Sequence, residues 1–161
     1  MAGNTTSEWN PPVEFYFLVD FQTMNGRKFK ASFLEINGLG WNFSTEQKTT
    51  DSNEKLQMPT GLSCPNLTLK RLLRPLDEDF STWLNTCSKM IFLSGGKGGI
   101  AKNKACDVVI KLLDKNGQPL AAWSCNHAYP IKYSISGFDA GRSGLVTETI
   151  ELVYNRLERV K

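Results

Sequence analysis

The sequence predicts a mainly β fold: an antiparallel β-sandwich or barrel protomer with one amphipathic helix and two long, two-faced hairpins. Three observations carry this expectation. Apolar and polar residues alternate over much of the chain, the period of a strand with one buried side. Asn25-Gly26 and Asn116-Gly117 each separate two such runs, and Asn-Gly readily takes the positive φ of a tight hairpin turn. Only residues 77–89 carry apolar side chains at helical spacing.

Taken in order, Phe15, Phe17, Val19 and Phe21 fall on one face of the first strand, with Glu14, Tyr16 and Asp20 opposite. After Asn25-Gly26, Phe29, Ala31 and Phe33 alternate with Lys28, Lys30 and Ser32, so the chain returns and then bends at Gly38-Leu39-Gly40. Residues 42–50 (NFSTEQKTT) are β-compatible but have little to bury, and 51–61 (DSNEKLQMPTG) read as a polar loop. Leu67 and Leu69 then alternate with Asn66, Thr68 and Lys70 in a strand expected to pair with 42–50. A hairpin this polar gains little from its own core and needs a neighbour.

In the helix, Asp77 reads as the N-cap, with Glu78 and Asp79 placing negative charge in the first turn, where the helix dipole favours it. Phe80, Trp83, Leu84 and Cys87 form the packing stripe. Asp107–Leu113 and Leu120–Cys125 pair across Asn116-Gly117. The last hairpin pairs residues 128–136 with 145–157 across the Gly137–Gly144 turn. Tyr129, Ile131, Tyr133 and Ile135 share one face, as do Val146, Ile150, Leu152 and Tyr154. Glu148 breaks that parity without a reason visible in the sequence.

Composition narrows the function. The chain has 161 residues, with 19 Lys+Arg against 16 Asp+Glu, a net charge of +3. This charge is too weak to demand nucleic acid as a partner. The length fits one domain, 1–161, with an extended arm at 1–12, the polar loop at 51–61 and a Gly/Lys-rich loop at 94–104. No run approaches the ~20 apolar residues of a membrane span. MAGNTTSEWN lacks the charged and apolar regions of a secretory signal, so synthesis and folding in a cytosol are expected. Cys64, Cys87, Cys106 and Cys125 lack metal or redox spacing and read as reduced, mostly buried thiols.

Catalytic motifs are missing from the reading. SGGKGG at 94–99 does not have phosphate-loop spacing, and His127, the single histidine, has no metal-ligating neighbour at a useful interval. Glu148 and Glu151 point to opposite faces of a strand and cannot act as an acid–base pair. No enzyme, cofactor or metal is expected. Two hairpins with polar faces and open edges instead ask for pairing with further copies, and ring closure would turn the polar faces toward a water-filled lumen.

An ordered set of segments carries a resemblance. Pro11-Pro12-Val13-Glu14-Phe15-Tyr16-Phe17 comes first, then Phe33-Leu34-Glu35-Ile36-Asn37-Gly38-Leu39 and Met58-Pro59. Asn66-Leu67-Thr68-Leu69-Lys70-Arg71, Trp123 with Asn126 to Lys132, and Glu148-Thr149-Ile150-Glu151-Leu152 follow. Together they resemble the tail tube, or inner tube, proteins of contractile phage tails and contractile injection systems. Leu72 stands where relatives often have glycine.

The resemblance implies a protomer that closes into a hexameric ring. It further implies stacking into a rigid conduit inside a contractile sheath, with baseplate and tail-terminator or cap proteins as partners. The conduit would be driven through a target envelope to deliver luminal cargo, a protein effector or DNA. By strand parity the lumen-lining candidates are Ser44, Glu46, Lys48, Asn66, Thr68, Lys70, Lys132, Ser134, Ser136, Thr147, Thr149 and Glu151, with Phe43 turned to the core. Asp51, Asn53, Glu54 and Lys55 of the polar loop are the candidates for contact between rings. The alternative is a monomeric β-sandwich that binds a ligand with its polar loops.

Overall fold

The computed structural model describes residues 16–93 and 104–161, so the arm at 1–12 and nearly all of the Gly/Lys-rich loop at 94–104 lie outside the described residues. In chain order the elements are β1 (Phe17–Thr23), β2 (Lys28–Ala31), β3 (Glu35–Asn37), β4 (Asn42–Thr49), β5 (Lys55–Ser63) and β6 (Leu67–Leu72). They are followed by α1 (Asp79–Leu93), β7 (Cys106–Leu113), β8 (Pro119–Ile135), β9 (Thr147–Val153) and β10 (Arg156–Arg159). Every pairing between strands is antiparallel.

One continuous sheet runs β2-β1-β7-β8-β9-β6-β3, with β10 also on β8, and β4-β5 form a separate pair. The central strand is β8, whose 17 residues serve both halves of the sheet. Its first part pairs with β7 and its last part, from Tyr129, with β9. A bulge sets Asn126 and His127 against Asp107. His127 there adopts φ 55°, and its N–H donates to Asp107 Oδ1 at 2.9 Å. Bulges sharpen local twist and let a strand change sheets. The lone histidine thus serves a backbone corner.

The core fills the concave side of the curled sheet. Val19, Phe21, Leu67, Leu69, Val108, Cys125, Ile150 and Leu152 are buried, and Phe80, Trp83 and Cys87 of α1 close over them. Phe21 stacks on Phe29 at 5.1 Å and meets Phe80 at 5.0 Å, so one aromatic cluster ties the first hairpin to the helix. All four cysteines are free. Burial pushes the Cys87 thiol up to about 11 and Cys125 to about 12, and that of Cys106 higher still, so these thiols are protonated and inert at neutral pH.

Several local expectations need correcting. The polar loop is only the turn around Asp51–Asn53, because residues 55–61 belong to β5. Accordingly β4 pairs with β5, while β6 takes β3 on one side and β9 on the other. Residues 35–49 and 55–72 form one long hairpin, kinked at residues 38–41. The helix begins at Asp79, not just after Asp77: its first backbone bond runs from the Thr82 N–H to the Glu78 carbonyl at 2.9 Å, and the Glu78 carboxylate pairs with Arg71. A second bulge, at Ile131, shifts the phase of β8. Tyr129 therefore lies opposite Val153 on the polar side, whereas Tyr133 and Ile135 share the core side with Ile150 and Glu148. Those two are nevertheless half-exposed.

Candidate functional site

Two surfaces stand out: a flat polar face on one half of the sheet, and a hairpin that buries nothing. The polar face follows from strand register. Residues paired directly across antiparallel strands put their side chains on the same face. Glu35, Lys70, Thr149 and Ser134 form one row across β3, β6, β9 and β8. Asn37, Thr68, Glu151 and Lys132 form the next. The core lies on the reverse, beneath Leu67, Leu69, Ile150 and Leu152.

This face is polar and charge-balanced. Two lysines offset two glutamates in the rows, and Lys132 Nζ meets Glu151 Oε1 at 3.0 Å. An exposed pair of this kind contributes about 1 kcal/mol or less. Thr147 opens β9 on the same parity as Thr149, and its N–H donates to Ser136 Oγ at 3.1 Å just beyond β8. Asn66 stands apart from the rows. It precedes β6, and its carbonyl oxygen would lie 1.9 Å from a Cβ placed on Gly38. Ser44, Glu46 and Lys48 are not on this face either, since they belong to β4.

Every residue of β4 and β5 is exposed. Lys48 pairs with Leu56, Glu46 with Met58 and Ser44 with Gly61, which places these six residues on one face. Phe43 and Leu62 pair on the other, and Trp41 meets Phe43 edge-on at 5.0 Å. Phe43 is 57% exposed, so it does not turn to the core as expected; the kink carries its strand away from it. At the tip the Asn53 N–H donates to Thr50 O at 2.9 Å, with Asn53 at φ 63°. Asp51, Asn53 and Glu54 therefore sit in a built turn, and Lys55 opens β5. At the base, Tyr154 Oη donates toward Gly38 O at 2.8 Å and Gly40 O at 3.1 Å, tying the kink to the core.

Beneath the polar face lies a feature the sequence reading missed. Arg71 is 1% exposed and Glu148 3%, and their Nε and Oε1 atoms lie 2.5 Å apart. Arg71 also donates to Glu78 Oε2 at 2.7 Å and Ser81 Oγ at 2.9 Å, and stacks over the Phe80 ring at 4.5 Å. Tyr133 Oη donates to the second Glu148 oxygen at 2.9 Å. Burial, reinforced by that hydrogen bond and the carboxylate charge, pushes the Tyr133 phenol up to about 12. The network locks β6, β8, β9 and α1 together.

The curled sheet with its helix and projecting hairpin is the fold of subunits seen in contractile injection assemblies. A chain from the anti-feeding prophage baseplate superposes with a TM-score of 0.78 at 22% identity, covering 94% of this chain and 97% of that one. A chain from the PVC sheath–tube complex of an extracellular contractile injection system, in its extended state, superposes at 0.73 and 20% identity, covering 99% and 100%. The PVC sheath/tube terminator structure contains a chain that matches at 0.75 and 20%, over 96% and 99%. No curated protein sequence matches the chain. Its family is nonetheless clear: residues 13–158 match the T4-like virus tail tube protein gp19 family, and the chain belongs to it. It is a structural tube subunit, a component of a phage tail or an injection system.

Proposed function

We propose that this chain closes into hexameric rings that stack head to tail into a hollow inner tube, with the face of β3, β6, β9 and β8 turned to the lumen. The observation that carries this reading is the pair of rows on that face. They combine hydroxyl, amide and charge-balanced side chains on a sheet whose other side is apolar apart from the buried Arg71–Glu148 pair, as a conduit needs if cargo is to slide without adhering. Thr68, Lys70, Lys132, Ser134, Thr147, Thr149 and Glu151 then line the channel, with Asn66 and Ser136 at its rims and Ser44, Glu46 and Lys48 continuing it along β4. Asp51, Asn53, Glu54 and Lys55 at the hairpin turn meet the next ring.

By likeness to chains of the sheath–tube, baseplate and terminator structures, the tube is sheathed, seated on a baseplate and closed by a terminator. Sheath contraction drives it through a target envelope with protein or DNA inside. Assembly takes place in a bacterial cytoplasm before the particle acts.

Replacing both Ser134 and Thr149 with Trp tests the orientation of the face. The two residues pair directly, so each subunit would add two indoles at one level of the channel. Tubes of normal length that no longer deliver cargo are expected. Unimpaired delivery from assembled tubes would place this face elsewhere.

A further inference from the structure

The geometry points to a knob-and-groove contact that closes the ring: the apolar base of the β4–β5 hairpin, Trp41, Phe43 and Leu62, seats in the groove between α1 and β8 of the adjacent copy. The inference rests on the tube reading above and names the surfaces that join its subunits.

Each half of the contact is incomplete in a single chain. The hairpin pairs only with itself, and an isolated two-stranded hairpin is at best marginally stable in water. Phe43 and Leu62, 57% and 58% exposed, lie side by side on one of its faces, extended by Trp41. Such a cluster marks a surface that is covered in the assembled state. The groove holds about 430 Å3 and is framed by Leu73, Leu76, Leu84, Ile131 and Tyr133. It lies at the end of the core side of β8 where Tyr133 and Ile135 are half-exposed. Apolar ridge and apolar groove thus occur in the same chain.

Topology and charge both select a second copy as the occupant. The hairpin leaves the sheet at β3 and β6, its edge, and the groove lies on the core side of β8, beyond β6 and β9 in the strand order. A ridge and a groove formed by different patches of one chain make a heterologous contact, which repeats around a ring instead of closing as a two-fold dimer. Arg74 on the groove rim is exposed and forms no ion pair among the described residues. Three carboxylates on the hairpin, Glu46, Asp51 and Glu54, likewise lack an ion pair, against two lysines, Lys48 and Lys55. The projecting piece is therefore net negative and the rim that receives it is positive, which favours the head-to-tail encounter.

Two single substitutions and their mixture test the contact with the full chain. Phe43→Glu destroys the ridge and leaves the groove, whereas Leu76→Glu destroys the groove and leaves the ridge. Both positions are exposed in the protomer, at 57% and 69%, so each variant should fold, with an unchanged circular dichroism spectrum and melting temperature. Leu62→Glu and Ile131→Glu serve as the second pair should either first variant fail that control. Wild-type protein is expected to give rings, and each variant alone a folded monomer of 18.0 kDa. An equimolar mixture retains one good ridge and one good groove, so its mass by light scattering should double and stop there.

Wild-type rings with variants that also form rings would assign the groove to a segment of the same chain and overturn the contact. Wild-type rings with a mixture that stays monomeric would overturn it equally. Failure of the wild type to form any ring at high concentration and when offered a preformed baseplate would instead refute the tube reading on which the contact depends.

Discussion

Arg71 is a charge placed where its strand has otherwise only leucines, and this makes it the most demanding residue in the protomer. Leu67, Leu69 and Arg71 share one phase of β6, and Glu148, Ile150 and Leu152 share one phase of β9, with Arg71 and Glu148 directly paired. The buried pair repays its desolvation only because Glu78, Ser81 and Tyr133 satisfy the remaining donors and acceptors. Arg71→Ala should therefore cost about 3–5 kcal/mol in urea unfolding, since it strands Glu148 as an unpaired buried carboxylate. Replacing Arg71 and Glu148 together with Met should restore most of that loss. A single-variant loss below about 1 kcal/mol would mean that water reaches the pair and does its work. Opposite charges at apolar phase in two strands were visible in the sequence. Their meaning was hidden because the sequence pattern paired the strand of Leu67 and Leu69 with 42–50, so Arg71 and Glu148 were never brought opposite each other.

At the scale of elements, strands with a buried face were legible and strands without one were not. Phe17, Val19 and Phe21, or Leu67 and Leu69, mark their phase by what they bury. Strand β5 buries nothing and contains Pro59 and Gly61, so its composition reads as loop. Its order comes from backbone pairing with β4, which leaves no trace in hydrophobic period. The kink that aims this hairpin is held at Gly38. It takes φ +96°, and an added Cβ would lie 1.9 Å from the carbonyl oxygen of Asn66, a backbone atom that cannot swing aside. Gly40 two residues on has open space around it. Gly38→Ala should thus destabilise the protomer by about 1–3 kcal/mol, read as a lower melting temperature. Gly40→Ala should change stability by only a few tenths of a kcal/mol. Equal effects at the two positions would show that the close approach at Gly38 is not what fixes the kink. His127 teaches a related lesson: its importance is a backbone corner at positive φ, which side-chain chemistry could not have suggested.

For the whole molecule, a single protomer leaves unfinished business on three sides: an apolar groove, an exposed hairpin and a polar sheet face set against a dry core. The polar rows were readable as alternation within each strand, and register assembled them into one surface. The ridge and groove were not readable, because the groove depends on how α1 packs beside β8 and the ridge on the pairing of β4 with β5. These features make sense together in a subunit whose core and sheet are completed by its neighbours. The measurement that tests this most directly is negative-stain electron microscopy of the purified chain, with its mass in solution by light scattering. The account predicts rings of six 18.0 kDa subunits, or hollow tubes stacked from them, with the β3–β6–β9–β8 face toward the channel. A chain that stays monomeric at high concentration and when offered a preformed baseplate would contradict it.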